Sequence, residues 1–167
     1  WVGRKGRGAA RLKWGGEEFV LYVGGMQIVG ASGDDGEQLS SALGLFEGGE
    51  WFSEAQRAVD QGHVTQAEAN AVVKRAVADR LRSFLIDPTA EISFEGEAEV
   101  GGNGLAISFP HLMVELVLGP GGEKLLPVLL PDPAVALRRL PDFPRRVGSL
   151  GLTEEGMAIL AKVDDRR

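Results

Sequence analysis

The sequence predicts an α+β domain: an antiparallel β-meander covered by a helical hairpin, with a proline-rich helical extension at the C-terminal end. Three observations lead there. Alternating apolar residues punctuated by Gly-Gly pairs occupy residues 9–31. Two helix starts and a long amphipathic run fill residues 53–88. Pro127, Pro131, Pro133, Pro141 and Pro144 then break up an apolar stretch that can be neither a long helix nor a central strand. A meander has one apolar face to bury and a helical hairpin has one apolar stripe, so packing the two together satisfies both.

In the meander, Leu12 and Trp14 alternate with charged neighbours, and Gly15-Gly16 is a two-residue hairpin signal. Phe19, Leu21 and Val23 form one face of the next strand, Gly24-Gly25 turns again, and Met26 and Ile28 continue the apolar face. Asp34 or Asp35 fits the cap of a helix burying Leu39, Ala42 and Leu43. The hairpin itself carries two capping-box patterns, Ser53 with Gln56 and Thr65 with Glu68, with Gly62 as the helix-terminal glycine between them. The second helix lines up Ala69, Val72, Val73, Ala76, Val77, Leu81, Phe84 and Leu85 on one stripe until Asp87-Pro88 stops it. A half-buried strand follows, with Ile92, Phe94, Ala98 and Val100 inward and Glu91, Glu95, Glu97 and Glu99 outward. The glycine-rich residues 101–104 divide the chain into an α+β part, 1–100, and an extension packed on it, 101–167. In the extension, Pro110 opens a helix burying Leu112, Leu116 and Val117, short helical turns cross the core, and a last helix starts at Thr153.

Composition removes several chemistries. With no cysteine there is no disulfide framework and no thiolate nucleophile, and His63 and His111 alone make a zinc site a poor fit. Asp34 and Asp35 lack the spaced third and fourth carboxylates of a hard-cation loop. The glycines of 30–36 lack both phosphate-loop spacings. No catalytic residue, cofactor or metal is therefore expected. A net charge of −6 argues against nucleic acid as a partner, although Arg4, Lys5, Arg7, Arg11 and Lys13 make a basic start. That run reads either as an arm for an anionic partner or as a terminus followed by the solvent face of a first strand. No apolar run reaches the roughly 20 residues of a membrane span, and no signal-peptide pattern is present. A cytoplasmic domain is expected, and the start at Trp1 predicts a piece of a longer protein.

The motifs also resemble a known family. Gly-Arg-Gly-Ala-Ala-Arg-Leu at 6–12, Phe-Val-Leu-Tyr-Val-Gly-Gly-Met-Gln-Ile-Val-Gly-Ala at 19–31, Gly-His-Val-Thr-Gln-Ala-Glu at 62–68 and Ala-Glu-Ile-Ser-Phe at 90–94 are similar to the PATAN-type domains of PatA-like bacterial response regulators. Val-Asp-Asp-Arg at 163–166 resembles the Val-Asp-Gly-Arg that often follows such domains, with Asp165 where the glycine is expected. The connection between the first two helices is shorter than in the family. The resemblance spans most of residues 6–165. It implies a non-enzymatic signalling adaptor that works through a protein partner, in bacterial signalling, motility or polarity, with no catalytic residues to carry over. A winged-helix-like nucleic-acid-binding module is the alternative, since two helices followed by a strand also describe that unit. It sits badly with four glutamates on the strand that would be the wing. For a protein partner, the expected anchor is Trp51 or Phe52, two adjacent rings after Gly48-Gly49, one of which would be exposed. Core packing ahead of a helix start is the competing reading of the same pair.

Overall fold

The computed structural model describes residues 7–34, 36–44, 49–96 and 105–129, together with Glu154. The chain is an α+β protein built on a five-stranded antiparallel sheet in the order β4-β1-β2-β3-β5. The strands are β1 (Arg7–Trp14), β2 (Glu17–Gly24), β3 (Gln27–Gly33), β4 (Glu91–Gly96) and β5 (Ile107–Ser108). The helices are α1 (Gly36–Leu43), α2 (Trp51–Asp60), α3 (Gln66–Ile86), α4 (Phe109–Leu118) and the short α5 (Leu126–Leu129). The chain divides into two compact units, residues 1–112 and 113–167. β5 pairs with β3 and so belongs to the first sheet.

The meander forms as its sequence requires. Gly15 and Gly16 both take positive φ (52° and 85°) in a two-residue turn whose twist matches the flanking strands. The second turn is one residue later than Gly24-Gly25 suggests: Gly24 pairs with Gln27, which leaves Gly25 and Met26 at the tip. Met26 is accordingly exposed instead of continuing the apolar face. A bulge then changes the phase of β3. Val23 sits opposite Ile28 and Tyr22 opposite Gly30, so Val29 is the extra residue. The bulge lets Ile28 and Ala31, three apart, both face the core.

The helical hairpin covers this face. Thr65 and Glu68 form the capping box, with each side chain bonded to the other's backbone N–H. Gly62 (φ 75°) closes α2 in a Schellman arrangement: its N–H reaches the Val59 carbonyl and that of His63 reaches Ala58. The start of α2 differs from the capping pattern at Ser53. Glu50 is the N-cap, accepting from the N–H groups of Phe52 (3.0 Å) and Ser53 (2.7 Å), and Ser53 lies within the first turn. A carboxylate can reach these donors from one residue before Trp51, so the helix begins earlier than a Ser cap would place it. Ala69, Val73, Ala76, Val77 and Leu81 are buried on α3, while Val72, Phe84 and Leu85 are half-buried flanks. In α1, Leu39 and Leu43 are buried and Ala42 is exposed.

Within the second unit Leu116 and Leu125 are buried, and Val117 is half-buried. A helical turn at Gly122–Lys124 precedes the proline-rich stretch, and α5 is a short helical turn at its start. Residues 130–153, 155–167 and 97–104 lie outside the described residues. With them lie Asp35, the inward positions Ala98 and Val100, Glu97 and Glu99, most of the proline-rich stretch and nearly all of the final helix. Among the described residues, no helix is long and apolar enough to cross a membrane.

Two outcomes follow from the caps. Replacing Glu50 with Ala should cost about 1–3 kcal/mol in urea unfolding, as a lost cap together with a lost charge-assisted bond. Gln, which keeps one acceptor oxygen, should recover part of that. At the second cap, the Thr65 backbone N–H and hydroxyl hold the Glu68 carboxyl below its ordinary range. Its contribution is thus present above the ordinary carboxylate value and is lost as pH falls through the lowered one. Urea midpoints followed downward from neutral pH should drop less for Glu68→Gln than for the unsubstituted chain.

Candidate functional site

Trp51 and Phe52, the expected exposed anchor, are both fully buried, at 0 % exposure. The Glu50 cap makes them the first two helical residues, and the helix turns both rings inward. Trp51 stacks on Phe19 at 5.0 Å between centroids, and its indole N–H donates to the Gly33 carbonyl (3.4 Å). Gly33 leaves room for this approach: a Cβ there would stand 3.0 Å from the Phe19 ring. The two rings are core, so the expectation of an exposed anchor at Trp51 or Phe52 is corrected.

Large apolar side chains that do reach solvent among the described residues are Met26, Ile86, Leu118 and Val128, and on β4 the neighbouring pair Ile92 and Phe94. In the β1–β4 register Leu12 is opposite Ile92 and Ala10 opposite Phe94. Leu12 and Ala10 in turn face Phe19 and Leu21 of β2. Directly opposed residues in an antiparallel pair share a face, so Ile92 and Phe94 extend the same apolar surface that the helices cover. The alternation read from the sequence is correct in its facing. The burial expected from it is not, since Ile92 remains 50 % and Phe94 51 % exposed. The helical cover is centred on β1 and β3, where α3 and α2 pack, and at β4 it is only partial. Near the β1 end of that cover Trp14 meets Phe84 edge-on at 5.8 Å, and the Arg80 guanidinium stands 5.9 Å from the Trp14 ring. Arg80 also pairs with Glu17, and burial pushes its pKa down from the usual arginine value.

The opposite face of β4 is charged and matched. Arg11 pairs with Glu18 and with Glu95 (3.1 Å), and Lys13 pairs with Glu18 (3.2 Å). Hydrogen bonds from Arg11, then Lys13, hold the Glu18 carboxyl below its ordinary range, while Glu18 and Glu95 raise the Arg11 pKa. Arg11 of the basic strand and Glu95 of the acidic strand are thus partners across the sheet, and Lys13 stands opposite Glu91. The chain enters β4 through a turn in which Asp87 accepts from the Thr89 hydroxyl (2.6 Å) and N–H (2.7 Å). Those bonds depress the Asp87 pKa. Among the described residues β4 is an edge strand, paired only with β1.

A pocket of about 170 Å³ lies elsewhere in the first unit, lined by Phe52, Asn70, Val73, Lys74, Ser108 and His111 among others. It falls short of the roughly 300–1,000 Å³ of sites that enclose organic ligands. Its Ser108 hydroxyl accepts the His111 backbone N–H (3.5 Å), a helix-entry contact. An open hollow of about 340 Å³ beside the Gly15-Gly16 turn mixes Lys13 with Glu17, Glu18 and Glu91. His63 is exposed beside Gly44, whose own Cβ would stand 3.6 Å from the imidazole Nδ1. Among the described residues, no group of three histidines or carboxylates is placed to hold a metal ion.

These placements separate core from surface in a way that urea unfolding reads directly. Trp51→Ala should cost about 3–5 kcal/mol, as an aromatic removed from a closed core. Phe94→Ala should cost well under half of that.

No protein-family model, no curated protein and no solved structure matches the chain.

Proposed function

We propose that the chain is a non-enzymatic protein-interaction module, an adaptor in bacterial signalling, motility or polarity that acts in the cytoplasm, and that its contact surface is the apolar face of β4. The observation that carries this reading is the pair Ile92 and Phe94, half exposed side by side on the edge of the sheet. A large apolar side chain at such an edge is an anchor for another chain. The resemblance of residues 6–165 to PATAN-type domains supports the same class of activity. The cations on α3 favour it over nucleic-acid binding. Arg82 and Arg75 both reach Asp79, at 3.2 and 4.0 Å, so one acid offsets part of the charge that phosphates would need.

The test is capture of partners from source-cell lysate by the tagged chain, read by mass spectrometry beside an Ile92→Ser/Phe94→Ser double variant. The variant should melt within a few degrees of the unsubstituted chain and lose the captured proteins. Retention of the same proteins by the folded double variant would exclude β4 as the contact surface.

A further inference from the structure

We infer that β4 accepts an extended segment of a partner as a sixth strand, and that this segment alternates apolar with basic residues. The inference rests on the β4 reading above and adds the geometry and chemistry of what binds there. Edge pairing follows from the backbone: among the described residues β4 bonds to β1 on one side only, so its outward N–H and C=O groups form a row to which a strand can add. Alternation follows from the two faces of β4. An added strand would extend the Ile92 and Phe94 surface on one side and meet Glu91 and Glu95 on the other.

The sign of the charge follows from the rows across the sheet. Glu18 of β2, Lys13 of β1 and Glu91 of β4 lie in a single row, acid, base, acid. One strand further out, the position opposite Glu91 calls for a cation. Along β4, Glu95 is held by Arg11 on the β1 side and faces the new strand on the other. A second copy of this chain is a poorer occupant: each copy carries a net charge of −6, and antiparallel pairing of two β4 strands about Ser93 sets Glu91 of each against Glu95 of the other, where directly opposed like charges destabilise a strand pair. The net charge of −6 adds long-range attraction for a basic segment.

The experiment uses the full chain and four labelled decapeptides, read by fluorescence anisotropy and by amide exchange along β4. One peptide alternates lysine with valine, one alternates glutamate with valine, one has the lysines grouped at one end, and one alternates lysine with valine around a central proline. The first should bind at least tenfold tighter than the other three and should slow exchange of β4 amides that β1 leaves unprotected. Glu91→Lys should weaken it about five- to tenfold, and Ile92→Ser/Phe94→Ser at least as much. Equal binding of the grouped-lysine peptide would reduce the effect to charge alone and overturn the inference. So would preference for the glutamate peptide, unchanged affinity in Glu91→Lys, or peptide-free dimerisation through β4. In each of those cases the broader reading of β4 still stands if the serine variant loses the captured proteins, so the two failures are distinguishable.

Discussion

One carboxylate joins the two layers of the first unit. Glu50 accepts the Ala31 N–H of β3 at 2.8 Å with one oxygen, which also takes the Phe52 N–H. Its other oxygen takes the N–H and hydroxyl of Ser53, each at 2.7 Å. It therefore fixes where α2 begins and holds that beginning against the sheet. The backbone registers the same join as a bridge between Ser32 and Glu50. Trp51 follows immediately and is committed to the space between Phe19 and Gly33. With α2 set, the Schellman turn at Gly62 and the capping box at Thr65 determine the direction in which α3 returns.

The location of the exposed surface is a consequence of that placement. Two helices, each about 10 Å across, span about four strands spaced at about 4.8 Å. A five-stranded sheet exceeds what the hairpin can cover. With α2 anchored on β3 through Glu50 and α3 packed on β1, the shortfall falls at the β4 edge. The half exposure of Ile92 and Phe94 is thus geometric and needs no local irregularity in the strand.

The sequence was most legible where structure is set by neighbours in the chain. The Gly15-Gly16 turn, the Thr65–Glu68 box, the Gly62 terminus and the buried faces of β1 and β2 all depend on residues within a few positions of each other. Ser53 misled because a better acceptor, Glu50, stood just upstream, and Glu is uncommon as a cap. The Val29 bulge left no signal in the hydropathy pattern, since both phases of β3 are apolar. An extended segment would send Trp51 and Phe52 to opposite sides and expose one of them, whereas on a helix two successive rings can both turn inward, as they do here. Ile92 and Phe94 show the limit of periodicity: alternation tells which face a side chain joins but not whether anything covers it. The Arg11–Glu95 pair, separated by 84 positions, could be found only once β4 was known to lie beside β1.

The strand order also sets the sequence of events by which the sheet assembles. β1, β2 and β3 are joined by two tight turns, so the meander can close rapidly from local encounters. β4 must return to β1 across the whole of α1, α2 and α3, pairing Gly8 with Gly96. Closing so long a loop costs more chain entropy than either turn, and slow, non-local pairings of this kind form after the local ones. Having partial cover and a single neighbour among the described residues, β4 also has less holding it once formed than β1 or β2. The same topology that leaves it at the margin therefore makes it later to dock and earlier to open than the three strands of the meander.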